Sequence, residues 1–310
     1  KNCKIGNLQV SMWHFMDIKA FYDEPTNTVS YVVSDEATGR AAIIDSVLDF
    51  DYASGTIRYN GADAVLAHIQ THDLAVDWHI ETHVHADHLS AAPYLQELLG
   101  GKIGISDQII KVQNVFGKMF NAGTRFEHDG SQFDHLFTAD EIYRIGNLHA
   151  RAMPTPGHTP ACMTHIIEDA AFVGDTLFMP DGGTARADFP GGDAGELYRS
   201  IQKILALPPE TRIFVCHDYA PNGRAFAWET SVAEERARNI HLADQVSEEE
   251  FVAMREARDE TLDMPKLIMP SIQVNMRAGH MPPSENNGQV YLKVPISDPR
   301  HGKKSKHEGE

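Results

Sequence analysis

The sequence predicts a mixed α and β chain in which two sheets form a sandwich covered by helices on each outer side. Three observations support this. Short β-branched or apolar runs recur along the whole chain, segments of helical spacing lie between them, and the two halves follow a similar plan. The pattern allows α/β as well as α+β and does not by itself choose the sandwich. At 310 residues and 42% hydrophobic content, the chain can bury most of its apolar surface without staples.

Taken in order, Thr28–Ser34 and Ala41–Asp45 read as strands joined by a turn at Asp35–Arg40 that carries Gly39. Residues 62–72 have helical spacing, and Leu74–Glu81 is a strand that runs straight into His83. Leu89–Leu99 is predicted as a helix stopped by Gly100 and Gly101, with a short strand at Lys102–Ile105. In the second half, strands are expected at Ile142–Ile145, His149–Met153, Met163–Ile167, Ala170–Val173 and Thr211–Cys216, with a helix at Ala194–Ala206. Ser231 with Glu234 and Ser247 with Glu250 have capping-box spacing and mark two later helices.

This organisation gives an N-terminal extension at 1–20 and a main domain at 21–245. A C-terminal helix and an irregular, proline-rich extension at 246–296 pack on the same domain, and a charged, disordered tail follows at 297–310.

The formal net charge of -17 argues against nucleic acid as the main partner, because phosphate contacts need clustered Lys and Arg. It leaves room for a small anionic substrate met by a local arginine. No run reaches the length of a membrane helix, so no membrane association is expected. Cys3, Cys162 and Cys216 do not make a disulfide framework, which points to a reducing, cytoplasmic setting. Cys162 and Cys216 read as small buried residues beside strands.

The strongest chemical signal is Thr82-His83-Val84-His85-Ala86-Asp87-His88, which puts three histidines and an aspartate on one loop after a strand. Imidazole and carboxylate are the ligands that zinc and iron prefer, and loops behind rigid strands hold such groups in fixed geometry. Three further loops each offer one candidate: His158 in Pro156-Gly157-His158-Thr159-Pro160, Asp175 in Gly174-Asp175-Thr176, and His217 after the strand ending at Cys216.

His-x-His-x-Asp-His followed by a distant His, Asp and His resembles the metallo-β-lactamase superfamily over roughly residues 20–245. The resemblance implies an α+β fold, an αββα sandwich of two mixed sheets, with a metal site at one end. A narrower resemblance, to the persulfide dioxygenases, rests on Thr82–Ser90, Thr155–Thr159, Gly174–Phe178, Arg186-Ala187-Asp188-Phe189, His217-Asp218-Tyr219 and Asn275-Met276-Arg277. It implies one Fe(II) per chain on His83, His158 and Asp175, the two-histidine, one-carboxylate arrangement of non-haem iron oxygenases. His85, Asp87, His88 and His217 would then support the ligands or form a second metal site. Arg186, Asp188, Asp218 and Tyr219 would order or bind the substrate, with Arg186 meeting a glutathione carboxylate. Where relatives often carry cysteines, this chain has Thr184 and Ala278, so a mechanism that needs those thiols is not expected.

Two reactions follow from these residues. In one, glutathione persulfide and O₂ meet at the iron and leave as sulfite and glutathione. In the other, one or two Zn(II) ions serve a glyoxalase II-like thioester hydrolase. There, His83, His85 and His158 hold one ion, Asp87, His88 and His217 the other, and Asp175 bridges them. The surrounding motifs favour the first. A homodimer is expected.

Overall fold

The computed structural model describes residues 16–242 and 246–298, so Cys3, Trp13 and nearly all of the expected tail lie outside the described residues. The first half builds a six-stranded sheet in the order β1 (Met16–Asp23), β2 (Thr28–Asp35), β3 (Arg40–Ile44), β6 (Ala75–Ile80), β8 (Lys102–Ser106) and β9 (His135–Phe137). The second half builds another from β10 (Glu141–Ile145), β11 (Leu148–Pro154), β12 (Met163–Ile167), β13 (Ala170–Phe172), β14 (Arg212–Phe214) and β15 (Glu229–Ser231). A third, three-stranded sheet joins β4 (Val47–Asp51) to β5 (Thr56–Arg58) and β7 (Leu89–Ser90).

Alternation along the strands explains the layering. In β2, Val29, Tyr31 and Val33 face one way and meet Tyr143, Phe172 and Phe214 of the second sheet. Val32 points the other way, onto Val65 and Ile69 of α1 (Asn60–Thr71) and Leu95 of α2 (Ala92–Leu99). The outer face of the second sheet, through Ala171 and Ile213, is covered by α4 (Ala194–Leu205), α5 (Val232–Arg238) and α6 (Glu248–Asp259). The result is the αββα sandwich, with α3 (Ile109–Met119) and α7 (Ile268–Asn275) packed together at one edge of the first layer.

Several boundaries shift for physical reasons. The helix expected at Leu89–Leu99 begins only at Ala92, because Leu89 and Ser90 pair with β4 and Pro93 belongs in a first turn. The Ser247–Glu250 box forms in both directions. At Ser231 only the side-chain oxygen accepts, from the Glu234 amide, while the Glu234 carboxylate pairs with Arg238. The irregular, proline-rich extension expected after the C-terminal helix, within 246–296, contains α7. Among the described residues no helix is long and apolar enough to cross a membrane.

Candidate metal centre

The centre forms where both sheets end. Asp45 closes β3 and Glu81 closes β6, two parallel neighbours, so both carboxylates sit at the edge from which the loop at residues 82–88 departs. Asp45 accepts from the Thr82 amide and hydroxyl, each at 2.8 Å, and this fixes the loop's first residue. The Thr82 carbonyl accepts from the Met163 amide of the second sheet at 2.9 Å. Antiparallel contact between Thr28 and His217 ties the sheets a second time, beside the site.

Each histidine is oriented by its second nitrogen. His158 Nδ1 donates to the Arg186 carbonyl at 2.8 Å, which leaves Nε2 to face Asp175 Oδ2 at 3.6 Å. His83 Nε2 approaches the same oxygen at 3.8 Å. His217 Nδ1 donates to the Asn27 carbonyl at 3.1 Å and turns Nε2 to Asp175 Oδ1 at 3.2 Å and Asp87 Oδ2 at 3.5 Å. His85 Nε2 lies 3.0 Å from Asp45 and 3.4 Å from Glu81.

The loops reach these positions through tight backbone. Gly157 has φ +139°, and a Cβ there would fall 2.3 Å from the backbone of Leu197, so only glycine lets α4 pack under His158. Gly174, at φ +52°, lies against Thr82 in the same way and delivers Asp175 on one turn of 3₁₀ helix.

The donors fit a metal. His83, His158 and Asp175 bring one ligand atom each within 4.8 Å of one another, and His85, Asp87 and His88 form a second such group. Among the described residues, His83 Nε2, His85 Nδ1 and His88 Nε2 are buried with no hydrogen-bond partner, which is costly unless a cation takes their lone pairs. Burial, then the neighbouring imidazoles, hold His83 well below its ordinary pKa, so it is neutral and able to ligate. Against the cost of burial, Asp45 raises His85 and Asp175 raises His217; a cation at the centre would oppose both.

A cavity of 1290 Å³ opens onto Asp87, His158, Asp175 and His217. The β4–β5 hairpin and the segment at 262–267 form its walls, and neither was marked as functional by the sequence. Tyr219 lines it, half exposed, with its ring 6.0 Å from that of His217. Arg186 also lines it, but its fork is engaged by Asp188 at 2.6 and 2.7 Å and by the Asp263 carbonyl at 2.7 Å. Asp218 is buried and held by Arg224 at 2.6 and 2.7 Å. Asp188, at the surface, and Asp218, buried, therefore each hold an arginine and do not line the cavity. Their sequence signal, an acidic residue near a ligand loop, does not distinguish the two roles.

Asp45, Glu81 and Asn275 carry much of the architecture. Asn275, on α7, donates to the His85 and His88 carbonyls at 2.9 and 2.8 Å and accepts from the Ser90 amide at 2.8 Å. Acidic residues ending apolar strands were the available signal for Asp45 and Glu81. Thr184, where relatives often have cysteine, binds His241 through its amide and hydroxyl, and Ala278 sits buried at φ +57°.

Known proteins resemble this chain in sequence and in fold. A probable metallo-hydrolase of Burkholderia pseudomallei is 55% identical over 91% of the chain and 99% of that protein. A β-lactamase hydrolase-like protein of Agrobacterium fabrum is 53% identical over 90% of the chain, which spans 64% of that protein's length. The mitochondrial persulfide dioxygenase of mouse is 31% identical over 86% of the chain and 91% of its own length. The crystal structure of ETHE1 from Myxococcus xanthus superposes with a TM-score of 0.68 at 30% identity, covering 85% of this chain and all of that one. Residues 23–217 match the metallo-β-lactamase superfamily, and the chain is a member of it.

Proposed function

We propose that this protein is an iron-dependent persulfide dioxygenase that oxidises glutathione persulfide with O₂ to sulfite and glutathione. The observation that carries the reading is the convergence of His83, His158 and Asp175 as a three-ligand group that leaves out His85; Asp175 is shared with a further group formed by Cys216 and His217. Two imidazoles and one carboxylate suit Fe(II), which would supply sites for O₂ and a substrate sulfur. The 31% identity to a mitochondrial persulfide dioxygenase supports the same reading.

The chain's own part is orientation and exclusion of water. Hydrogen bonds from His158 to the Arg186 carbonyl and from the Thr82 amide and hydroxyl to Asp45 hold the ligand atoms in place before substrate arrives. The cavity has room for a tripeptide, and Tyr219 and Phe178 line it next to the ligands. With Arg186 engaged by Asp188 and Arg255 by Asp259, the cations left on the cavity wall to meet substrate carboxylates are Arg58, Arg258 and Lys266.

A second reading, hydrolysis of a thioester at two metals, is favoured by the orphaned His85 Nδ1 and His88 Nε2 beside the triad and by the 55% identity to a probable metallo-hydrolase. One preparation separates the two. Oxygen uptake with glutathione persulfide and one iron per chain support the dioxygenase; thioester cleavage without oxygen uptake, and two metals per chain, sink it. His83→Ala, His158→Ala and Asp175→Ala should each abolish iron binding, whereas His217→Ala should keep most of it.

A further inference from the structure

A cavity of 340 Å³ lies between the loop after α3 and the C-terminal segment, and it shares no lining residue with the cavity at the metal centre. Its volume is at the low end of the roughly 300–1,000 Å³ typical of small-molecule sites. Arg125, Arg277 and Lys293 contribute to its wall, with Glu285 the acidic residue facing them.

Arg277 is the unusual group. Its Nε is buried with no hydrogen-bond partner, and its guanidinium lies over the Phe126 ring, 4.1 Å from the centroid. Burial pushes its pKa down and, among the described residues, no neighbouring carboxylate offsets that, in a chain whose net charge is -17. A half-buried guanidinium normally finds a carboxylate, as Arg255 does in Asp259 at 2.6 Å. Arg277 is also anchored: Met276 beside it is wholly buried, and the Met276 carbonyl accepts from Gln113 at 3.0 Å. A guanidinium seated over an aromatic ring by its central carbon still has N–H groups to offer a planar acceptor.

We propose that this cavity is a second ligand site, for a small carboxylate gripped by Arg277. Arg125 adds a second positive charge, while Lys293 has its Nζ on the Asn121 carbonyl at 2.6 Å and contributes field rather than a direct bond. Glu285 on the wall disfavours a second carboxylate and suits a ligand whose far end is neutral or an ammonium, such as an amino acid.

The test is calorimetric titration of the full chain, at constant ionic strength in a carboxylate-free buffer, with acetate, γ-aminobutyrate, succinate and inorganic phosphate. A monocarboxylate should bind saturably and more tightly than succinate or phosphate. Arg277→Met should weaken it at least about tenfold, as loss of a charge-assisted hydrogen bond requires. Arg277→Lys should weaken it comparably, because the planar fork is lost. Asp175→Ala, which disables the other cavity's ligands, should bind as the wild type does. No saturable binding by the wild type below about 50 mM overturns the proposal. So does wild-type affinity in both Arg277 variants, loss of binding in Asp175→Ala, or a preference for phosphate. Replacing an unpaired charge by Met should not lower the melting temperature. If the Met variant nevertheless does not fold, the Lys variant decides alone.

Discussion

Glu235 shows how a single buried carboxyl ties stability to pH. It is fully buried on α5; one oxygen accepts from Asn239 Nδ2 at 2.7 Å and the other has no partner. Burial pushes its pKa up to about 8 from an ordinary value of 4.5. The folded chain therefore keeps a proton that the unfolded chain releases. This favours folding below pH 4.5, the advantage is lost progressively as pH rises toward about 8, and above that the charged carboxylate is a constant cost. Glu235→Gln keeps the acceptor for Asn239 and removes the charge. The variant should therefore gain on the wild type between about pH 5 and pH 8, by a few kcal/mol at most. Denaturant unfolding at both pH values checks this; an unchanged difference between the two proteins would contradict it. No sequence pattern marks Glu235, because its neighbours Glu234 and Arg236 make it look like one more surface charge. The ligand loop was legible for the opposite reason: His83, His85, Asp87 and His88 stand within six residues and need no tertiary contact to be seen together. Asp45 binds a loop that starts 37 residues later, a distance over which sequence gives no pairing.

Among the elements, α7 was the least legible and is one of the most consequential. Pro270 and the β-branched Ile268, Ile272 and Val274 give it poor intrinsic helix propensity, so the segment reads as irregular. It is helical because six of its eight residues are buried, and Pro270 lies in the first turn, where its missing N–H leaves no hydrogen bond unmade. Tertiary packing decided the outcome, as it did for β1, a sheet-edge strand whose partly buried Met16, Ile18, Ala20 and Tyr22 lie on the core side. The function of α7 follows from Asn275. Asn275→Ala would leave the His85 and His88 carbonyls and the Ser90 amide without their partner, costing roughly 2–4 kcal/mol and loosening the loop. Asn275→Asp keeps the acceptor for Ser90 but sets a carboxylate against two carbonyls, so it should be at least as damaging. Titration of metal against a competing chelator should show weaker binding in both variants while circular dichroism remains native. Wild-type metal affinity in Asn275→Ala would mean that the loop holds its shape without α7.

On the scale of the whole molecule, the candidate ligands belong to different layers. His83 to His88 leave the first sheet, while His158, Asp175 and His217 leave the second. A cation held by His83, His158 and Asp175 is thus a further cross-link between two halves that also meet through an apolar core, the Met163–Thr82 hydrogen bond and the Thr28–His217 contact. The unfolded chain has no such cluster, so binding energy becomes folding energy. At a free metal concentration about a thousand times the dissociation constant the gain is about 4 kcal/mol. For a chain of this length that corresponds to a rise in melting temperature on the order of 5–10 °C. Chelation should therefore lower the melting temperature of the wild type by this amount, and adding back Fe(II) under reducing conditions should restore it. Asp175→Ala should melt at one temperature regardless of chelator, because it lacks the group shared by both histidines. His217→Ala should retain most of the chelator-sensitive shift, since its ring nitrogen approaches Asp175 from outside the three-ligand group. If His217→Ala loses the shift as completely as Asp175→Ala does, the stabilising ion needs both ligand groups. The dinuclear, hydrolytic reading then replaces the mononuclear one.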